Sequence, residues 1–364
     1  MIKTHTDTVE TIIINVGPLS SFNSLVYHMG SKLDQVRDSY SHGQTPQIAF
    51  DFRNVKLGIL SVPALAAFLS TSKKLKDYLG YPIPLVMTWD PNLQGFLADI
   101  GFIEAANHFR IFEWEPKGIL GGYRTGRLNP LSGILYYSDK LSPTSDWTED
   151  DYIREKELRK RKIAPNFLLR CSKILESIEN DRSTNIIANT ALELIVNSLI
   201  HGEDHAFVGV QLRQRRITLS VCDSGIGFPK SLNKSFKSLN HFDRIDHSTA
   251  ILIGSLVQKY QHGLRLAIAE VLNFSEDDYI GDVINEGWVI ISSFNTEIRW
   301  QKANWRNAID SFDSIDIYKE LPDINKILGK PIKDFVDREK IEQGYWKNYA
   351  SYLVGTRIAF EINI

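Results

Sequence analysis

Three polar residues recur at every fourth position of an otherwise apolar segment. Glu193, Asn197 and His201 lie within the run ELIVNSLIHG. Because a helix turns about 100° per residue, these side chains fall within about 80° of one another and form one polar stripe. A polar group buried without a partner costs about 1–3 kcal/mol. The stripe therefore predicts a ligand-facing cavity, and an exposed surface helix is the alternative.

Two glycine-containing segments follow this helix in the sequence. The first, DSGIGF, begins with Asp223 at the end of a predicted strand, and Gly225 and Gly227 would let the backbone approach a ligand closely. The second, HGLRLAI, has Gly263 at the start of a predicted helix, where free N–H groups attract phosphate. Taken singly, the first is also typical of a tight turn and the second of a loop-to-helix junction.

In this order the three segments resemble the nucleotide-binding motifs of the GHKL ATPase family. That family includes gyrase-type topoisomerases, heat-shock chaperones, sensor histidine kinases and anti-sigma-factor kinases. The resemblance rests on the pattern E-x-x-x-N-x-x-x-H-G, the two glycine segments and a closing strand, GTRIAFE, at 355–361. It implies an α/β sandwich, with a mixed sheet covered by helices, that binds ATP and Mg²⁺.

The resemblance also implies a role for each matched residue. Glu193 would orient or deprotonate the water, or the kinase substrate hydroxyl, that attacks the phosphate. Asn197 would hold Mg²⁺, and Asp223 would accept a hydrogen bond from the adenine amino group. Residues 230–262 would form a lid over the nucleotide. The other implied nucleotide contacts are His201, Gly225, Gly227, Lys230, Gly263, Leu264 and Arg265.

The chain departs from the family pattern at the phosphate end. Gln261 and Arg265 stand where many family members have further glycines, so we expect hydrolysis to be weak. None of the nine histidines lies in an H-E-x-x-x-P motif, which disfavours an autophosphorylating histidine kinase. There is also no G-x-x-x-x-G-K-[ST] segment of the P-loop type.

Hydrophobic periodicity predicts the elements that must position these residues. A helix over 183–199 carries the stripe, and alternating apolar residues predict a hairpin whose second arm, 217–221, leads into Asp223. The charged run at 159–162 reads as a solvated face before another helix. The predicted GHKL-type domain spans 161–364, with helices near 248–260 and 263–272, strands at 288–292 and 356–362, and an insertion at about 301–350.

Strands alternate with helices over residues 1–118, which predicts a smaller α/β domain. This region resembles the STAS domain of anti-sigma-factor antagonists through the segments FDFRNV at 50–55 and SVPALAAFL at 61–69. In that family, a serine in the turn before the helix that matches the second segment is phosphorylated. Pro63 stands at about that position here, and Ser61 lies two residues away. Residues 119–160, rich in glycine and proline at their start, are predicted to be a linker or arm.

Composition excludes several classes of protein. The 364 residues carry a net charge of −2, which argues against a partner that presents many phosphates, such as a nucleic acid. No apolar run reaches the ~18 residues that a membrane span needs. Cys171 and Cys222, each among apolar neighbours, read as core thiols. We therefore expect a cytoplasmic protein without a membrane or nucleic-acid partner.

Three functions remain open at the level of the sequence. The first is a regulatory protein that binds ATP and Mg²⁺, hydrolyses ATP slowly at most and passes its nucleotide state to a protein partner. The second is an enzyme, either an ATPase or a Ser/Thr protein kinase of the anti-sigma-factor type. The third is an interaction scaffold that binds no nucleotide. The resemblance also allows a homodimer.

Overall fold

The structure is a computed structural model that describes residues 11–121, 131–138, 148–178, 181–235, 247–256, 263–273, 287–312 and 346–364. Within these ranges the chain forms one parallel sheet, one antiparallel sheet and ten α-helices, which confirms the predicted α/β class. None of the helices in these ranges is long and apolar enough to cross a membrane.

The first sheet consists of four parallel strands that lie side by side in chain order. They are β1 (Thr11–Asn15), β2 (Gln47–Asp51), β3 (Ile83–Val86) and β4 (Phe112–Glu115). Apolar runs predict the first three strands. The fourth was not predicted, because its sequence FEWE places a glutamate at every second position and leaves only a short apolar signal.

Four helices connect these strands. They are α1 (Phe22–Ser41), α2 (Val62–Leu79), α3 (Pro91–Asp99) and α4 (Phe102–His108). Side chains of Ser21, Ser61 and Asp90 accept hydrogen bonds from backbone N–H groups in the first turns of α1, α2 and α3, which fixes where each helix begins.

The second sheet has five strands in the order β5-β6-β7-β9-β8. All four pairings are antiparallel among the described strands, whereas the resemblance implied a mixed sheet. Gln214 and Arg215 both have positive φ, which gives the hairpin the tight turn that matches strand twist. The strands are β5 (Ser132–Tyr137), β6 (Ala206–Arg213), β7 (Arg216–Cys222), β8 (Trp288–Trp300) and β9 (Trp346–Asn363).

Six helices accompany the second sheet. They are α5 (Glu149–Glu176), α6 (Asp181–His201), α7 (Gly227–Ser235), α8 (His247–Leu256), α9 (Leu264–Asn273) and α10 (Lys302–Phe312). Within the described residues, the predicted linker at 119–160 thus contains β5, which pairs with β6, and the first part of α5. The strand was missed because it is a short edge strand beside a glycine- and proline-rich segment. Of the predicted insertion, α10 and the start of β9 lie within the described residues.

The two faces of the antiparallel sheet are covered by different parts of the chain. Val208 and Val210 of β6 pack in one core with α5, α6, α8 and α9, whereas Phe207 packs in another core with α1 and α2. Successive residues of a strand point to opposite faces, so the N-terminal helices cover the face away from α6. The parallel sheet and one face of the antiparallel sheet therefore share the core to which Phe207 belongs.

Helix α2 lies between the two sheets. Every residue from 62 to 73 is buried. Phe68 packs on Phe50 of the parallel sheet, with ring centroids 5.0 Å apart. On the other side, a Cβ at Gly209 of β6 would lie 2.8 Å from the carbonyl oxygen of Val62, so the glycine permits the close approach of α2.

Candidate functional site

The predicted polar stripe lies on α6 and faces α5. Glu193 is only 7% exposed, and Asn197 and His201 are half-buried. The Nζ atoms of Lys156 and Lys160, both on α5, form ion pairs with Glu193, the latter at 2.9 Å from Oε2. The stripe therefore faces polar side chains of α5, where the sequence predicted a ligand-facing cavity. Lys160 comes from the run 159–162, which was predicted to be a solvated face.

The same two helices meet at a second polar contact. His201 Nε2 and the hydroxyl of Tyr152 share a hydrogen bond. Tyr152, Lys156 and Lys160 are spaced by four residues, as are Glu193, Asn197 and His201. Pairing of 152 with 201 and of 160 with 193 makes the helices antiparallel here. Two matching stripes thus form the interface between α5 and α6.

Glu193 is held in its charged form by these contacts. Burial alone would raise the pKa of the Glu193 carboxyl, but the charges of Lys156 and Lys160 outweigh burial and hold the pKa below its ordinary value. Asn197 Nδ2 also donates to Glu193 Oε1, at 3.2 Å. Both carboxylate oxygens are therefore occupied by donors.

Asp223 lies at the end of β7 and is only 3% exposed. Its Oδ1 accepts hydrogen bonds from the backbone N–H of Gly225 at 3.0 Å and of Thr356 at 3.2 Å. Burial raises the pKa of Asp223 to about 6; the backbone donors oppose this rise, and the negative charge of Asp204 adds to it. A carboxyl of this kind can act as either donor or acceptor near neutral pH.

The turn after β7 packs directly on the end of α6. The backbone N–H of Ile226 donates to the carbonyl oxygen of Gly202 at 3.2 Å. A Cβ at Gly225 would overlap that same carbonyl oxygen, so only glycine fits there. The hydroxyl of Ser198 on α6 also hydrogen-bonds to Asp223. The structure therefore brings the first two predicted motifs into contact.

The third motif lies beside the same helix. Gly263 precedes α9, which packs against α6, and Leu264 is half-buried against the core. Arg265 Nη1 donates to the carbonyl oxygen of Leu256 at the end of α8, at 3.0 Å. Arg265, which was predicted to contact phosphate, therefore contacts the end of α8 through this hydrogen bond.

The predicted lid is described in part. Gly227 begins α7, and Lys230 is exposed on that helix. Helix α8 packs against α7, where Phe228 lies over Gly254. Residues 236–246 and 257–262, which include Gln261, lie outside the described residues. The placement of Lys230 toward a nucleotide remains a prediction.

The N-terminal unit contacts the site through α2. Ser224 Oγ donates to the carbonyl oxygen of Ser70 at 2.6 Å and lies 2.7 Å from the Ser70 hydroxyl. Lys73 Nζ lies 3.7 Å from Asp204 Oδ1, whose charge acts on Asp223. Sequence reasoning missed these contacts because the partners are far apart in the chain.

Neither cysteine takes part in this site. Cys171 and Cys222 are buried free thiols, which confirms the prediction, and burial raises the pKa of each to about 12. The described residues contain no group of three or more histidine, cysteine or carboxylate side chains that could hold a metal ion. The assignment of Asn197 as a Mg²⁺ ligand stays a prediction.

Comparisons of the chain with protein-family models, with curated proteins and with solved structures find no match. The functional interpretation therefore rests on the motifs and on the geometry of the site.

Proposed function

We propose that the protein is an ATP- and Mg²⁺-binding regulatory protein of the GHKL class with a STAS-like N-terminal unit. The contact between the Asp223 turn and the end of α6 carries this proposal. It joins the residues expected at the adenine to those expected at the phosphates. A nucleotide needs both ends of its site at once, so their convergence from separate segments supports nucleotide binding.

Each end of the site has groups suited to one part of ATP. Asp223 is a buried carboxylate that would accept a hydrogen bond from the adenine amino group, and the glycines beside it let its turn pack closely on the end of α6. Asn197 would hold Mg²⁺, which would neutralise phosphate charge when bound. Gly263 precedes the N-terminus of α9, where backbone N–H groups favour phosphate. These roles all lie on elements in contact with α6.

The regulatory part of the proposal rests on α2. This helix contributes the hydrogen bonds between Ser70 and Ser224, directly after the adenine acceptor Asp223. A change in the Asp223 turn on nucleotide binding would therefore reach α2 without an intermediate element. Helix α2 also packs on the parallel sheet, so the N-terminal unit is in position to respond and to present its response to a protein partner.

Calorimetric titration of the full chain with ATP and Mg²⁺ tests the proposal. We expect micromolar affinity for the wild type and a loss of about 10- to 100-fold in Asp223→Asn, because a hydrogen bond to a charged acceptor is lost. Omission of Mg²⁺ should also weaken binding.

The matched control is Asp51→Asn. Asp51 is likewise a buried aspartate at the end of a strand, but it lies in the parallel sheet and pairs with Arg53. This variant should bind ATP as the wild type does. Equal affinity of the wild type and Asp223→Asn would defeat the assignment of the adenine end.

A scaffold that binds no nucleotide is the second candidate. One observation favours it. Arg265, which was predicted to contact phosphate, donates a hydrogen bond to the carbonyl oxygen of Leu256. A ligand at 100 times its dissociation constant stabilises the folded state by about 2.7 kcal/mol. A thermal melt that does not change with ATP would therefore favour the scaffold.

A further inference from the structure

Helix α5 provides a partner for each end of the stripe on α6. Tyr152 contacts His201, and Lys156 and Lys160 both contact Glu193. Lys156 is only 4% exposed, so its charge lies in the interface with Glu193 and not in bulk solvent. A buried ion pair of this kind fixes both side chains, because loss of Glu193 would leave the charge of the buried Lys156 unpaired.

The contacts leave Glu193 poorly suited to accept a proton. In ATP hydrolysis a water oxygen bonds to the γ-phosphorus, the bond from that phosphorus to the β–γ bridging oxygen breaks, and the water's proton passes to a base. Glu193 Oε1 is bonded to Lys156 and Asn197, and Oε2 to Lys160. Neighbouring cations also make a carboxylate less basic.

The two halves of α5 are anchored in different ways. Lys156 is the buried residue among 150–162. The second half buries apolar side chains, namely Ile163, Phe167, Cys171, Ile174 and Leu175. Pro165 stands inside the helix at the boundary, where it cannot donate the usual backbone hydrogen bond. The first half is therefore held to α6 largely by polar contacts, and the second half by the core.

We infer that Lys156 and Lys160 are positioning residues that hold Glu193 away from proton transfer, so that α5 limits ATP turnover without limiting ATP binding. This inference rests on the proposed function. It assigns a role to a helix outside all three sequence motifs. It also gives a structural reason for slow hydrolysis that is separate from the glycines missing near 261–265.

Phosphate release from ATP and Mg²⁺ by the full chain tests the inference. Lys156→Met should raise kcat about fivefold and leave KM and the affinity for ATP unchanged, because it removes one of the two cations that make Glu193 less basic while the binding groups stay. Lys160→Met should act in the same direction with a smaller effect. Arg161→Met, which changes an exposed cation of the same helix, should behave as the wild type.

A double variant separates this role from a merely structural one. The gain from Lys156→Met should vanish in Lys156→Met/Glu193→Gln, since a glutamine cannot accept the proton. Unchanged or lower kcat in Lys156→Met, with ATP binding retained, would overturn the inference. If that variant does not fold, Lys160→Met decides in the same way. A wild type that binds no ATP would defeat the proposed function, and the inference with it.

Discussion

The two buried carboxylates of the candidate site lie at opposite ends of it and are stabilised by different groups. Asp223 accepts hydrogen bonds from the neutral backbone donors of Gly225 and Thr356. Glu193 faces two ammonium groups, those of Lys156 and Lys160. The pKa of Asp223 is accordingly raised to about 6, whereas that of Glu193 is lowered.

This difference shows that burial alone does not set the charge of a site. Desolvation raises the pKa of both carboxyls, and full positive charges reverse the effect only where they are close. Asp223 therefore has a carboxyl whose charge can change near neutral pH. Glu193 keeps a fixed negative charge because of its two ammonium partners.

The largest effect on stability is expected from removal of the charge of Glu193. Glu193→Gln leaves Lys156 buried without a counter-ion, so it should lower the free energy of unfolding by about 3 kcal/mol. Urea denaturation at pH 7 measures this loss.

Glu157→Gln is the matched control for that variant. It removes a partner of the same Lys160, at 3.0 Å, from a half-exposed position, where an ion pair contributes less than about 1 kcal/mol. Equal losses in the two variants would mean that the pair of Lys156 and Glu193 contributes no more than a surface pair.

The raised pKa of Asp223 should be visible in the pH dependence of stability. The folded pKa of Asp223, about 6, exceeds the ordinary 3.8, so the native state binds more protons between these values. Wild-type stability should therefore fall, relative to Asp223→Asn, by about 2 kcal/mol as pH rises from about 4 to 6. Denaturation of both proteins at several pH values measures the difference.

The pKa of Asp51 is shifted in the opposite direction to that of Asp223. Its hydrogen bonds from Arg53 hold the pKa of the carboxyl below its ordinary value, so Asp51 stabilises the fold above pH 4 and this stabilisation is lost as pH falls. Asp51→Asn should therefore match the wild type more closely at low pH. A pH-independent difference between Asp223→Asn and the wild type would remove the contrast between the two ends.

The smallest effect on stability is expected from loss of the contact between Ser224 and Ser70 of α2. Ser70→Ala removes one hydroxyl from the contact with Ser224 and should cost about 1 kcal/mol in a thermal or urea melt. Ser72→Ala is the matched control, since Ser72 is equally buried on α2 and its hydroxyl has no hydrogen-bond partner among the described residues. A loss at Ser72 as large as at Ser70 would argue against a specific link.

Local pattern predicted the elements of the site better than their contacts. The helix of the stripe, the hairpin and the turn at Asp223 follow from apolar spacing and from glycines that only certain turns need. The stripe of Glu193, Asn197 and His201 predicted a ligand-facing cavity, whereas the structure places polar side chains of α5 against it. The sequence did not indicate which residues contact the stripe, because no local pattern distinguishes Lys156 and Lys160 from the exposed Arg161 and Lys162.

Long-range packing accounts for the remaining differences. Ser70 and Ser224 are 154 positions apart, and no local pattern relates them. The short strands β4 and β5 depend on neighbouring strands for most of their stability, so their own sequences carry little signal. Residues 152, 156 and 160 have the same four-residue spacing as 193, 197 and 201, and this match was a sign in the sequence of the interface between α5 and α6.

The position of α2 between the two sheets has a consequence for the chain as a folding unit. Phe207, Cys222, Leu353 and Ala359 of the antiparallel sheet belong to the core formed by the N-terminal helices. A fragment that begins after residue 118 would expose this surface to water and would tend to aggregate. The two regions with separate sequence signatures are therefore expected to unfold in a single cooperative transition.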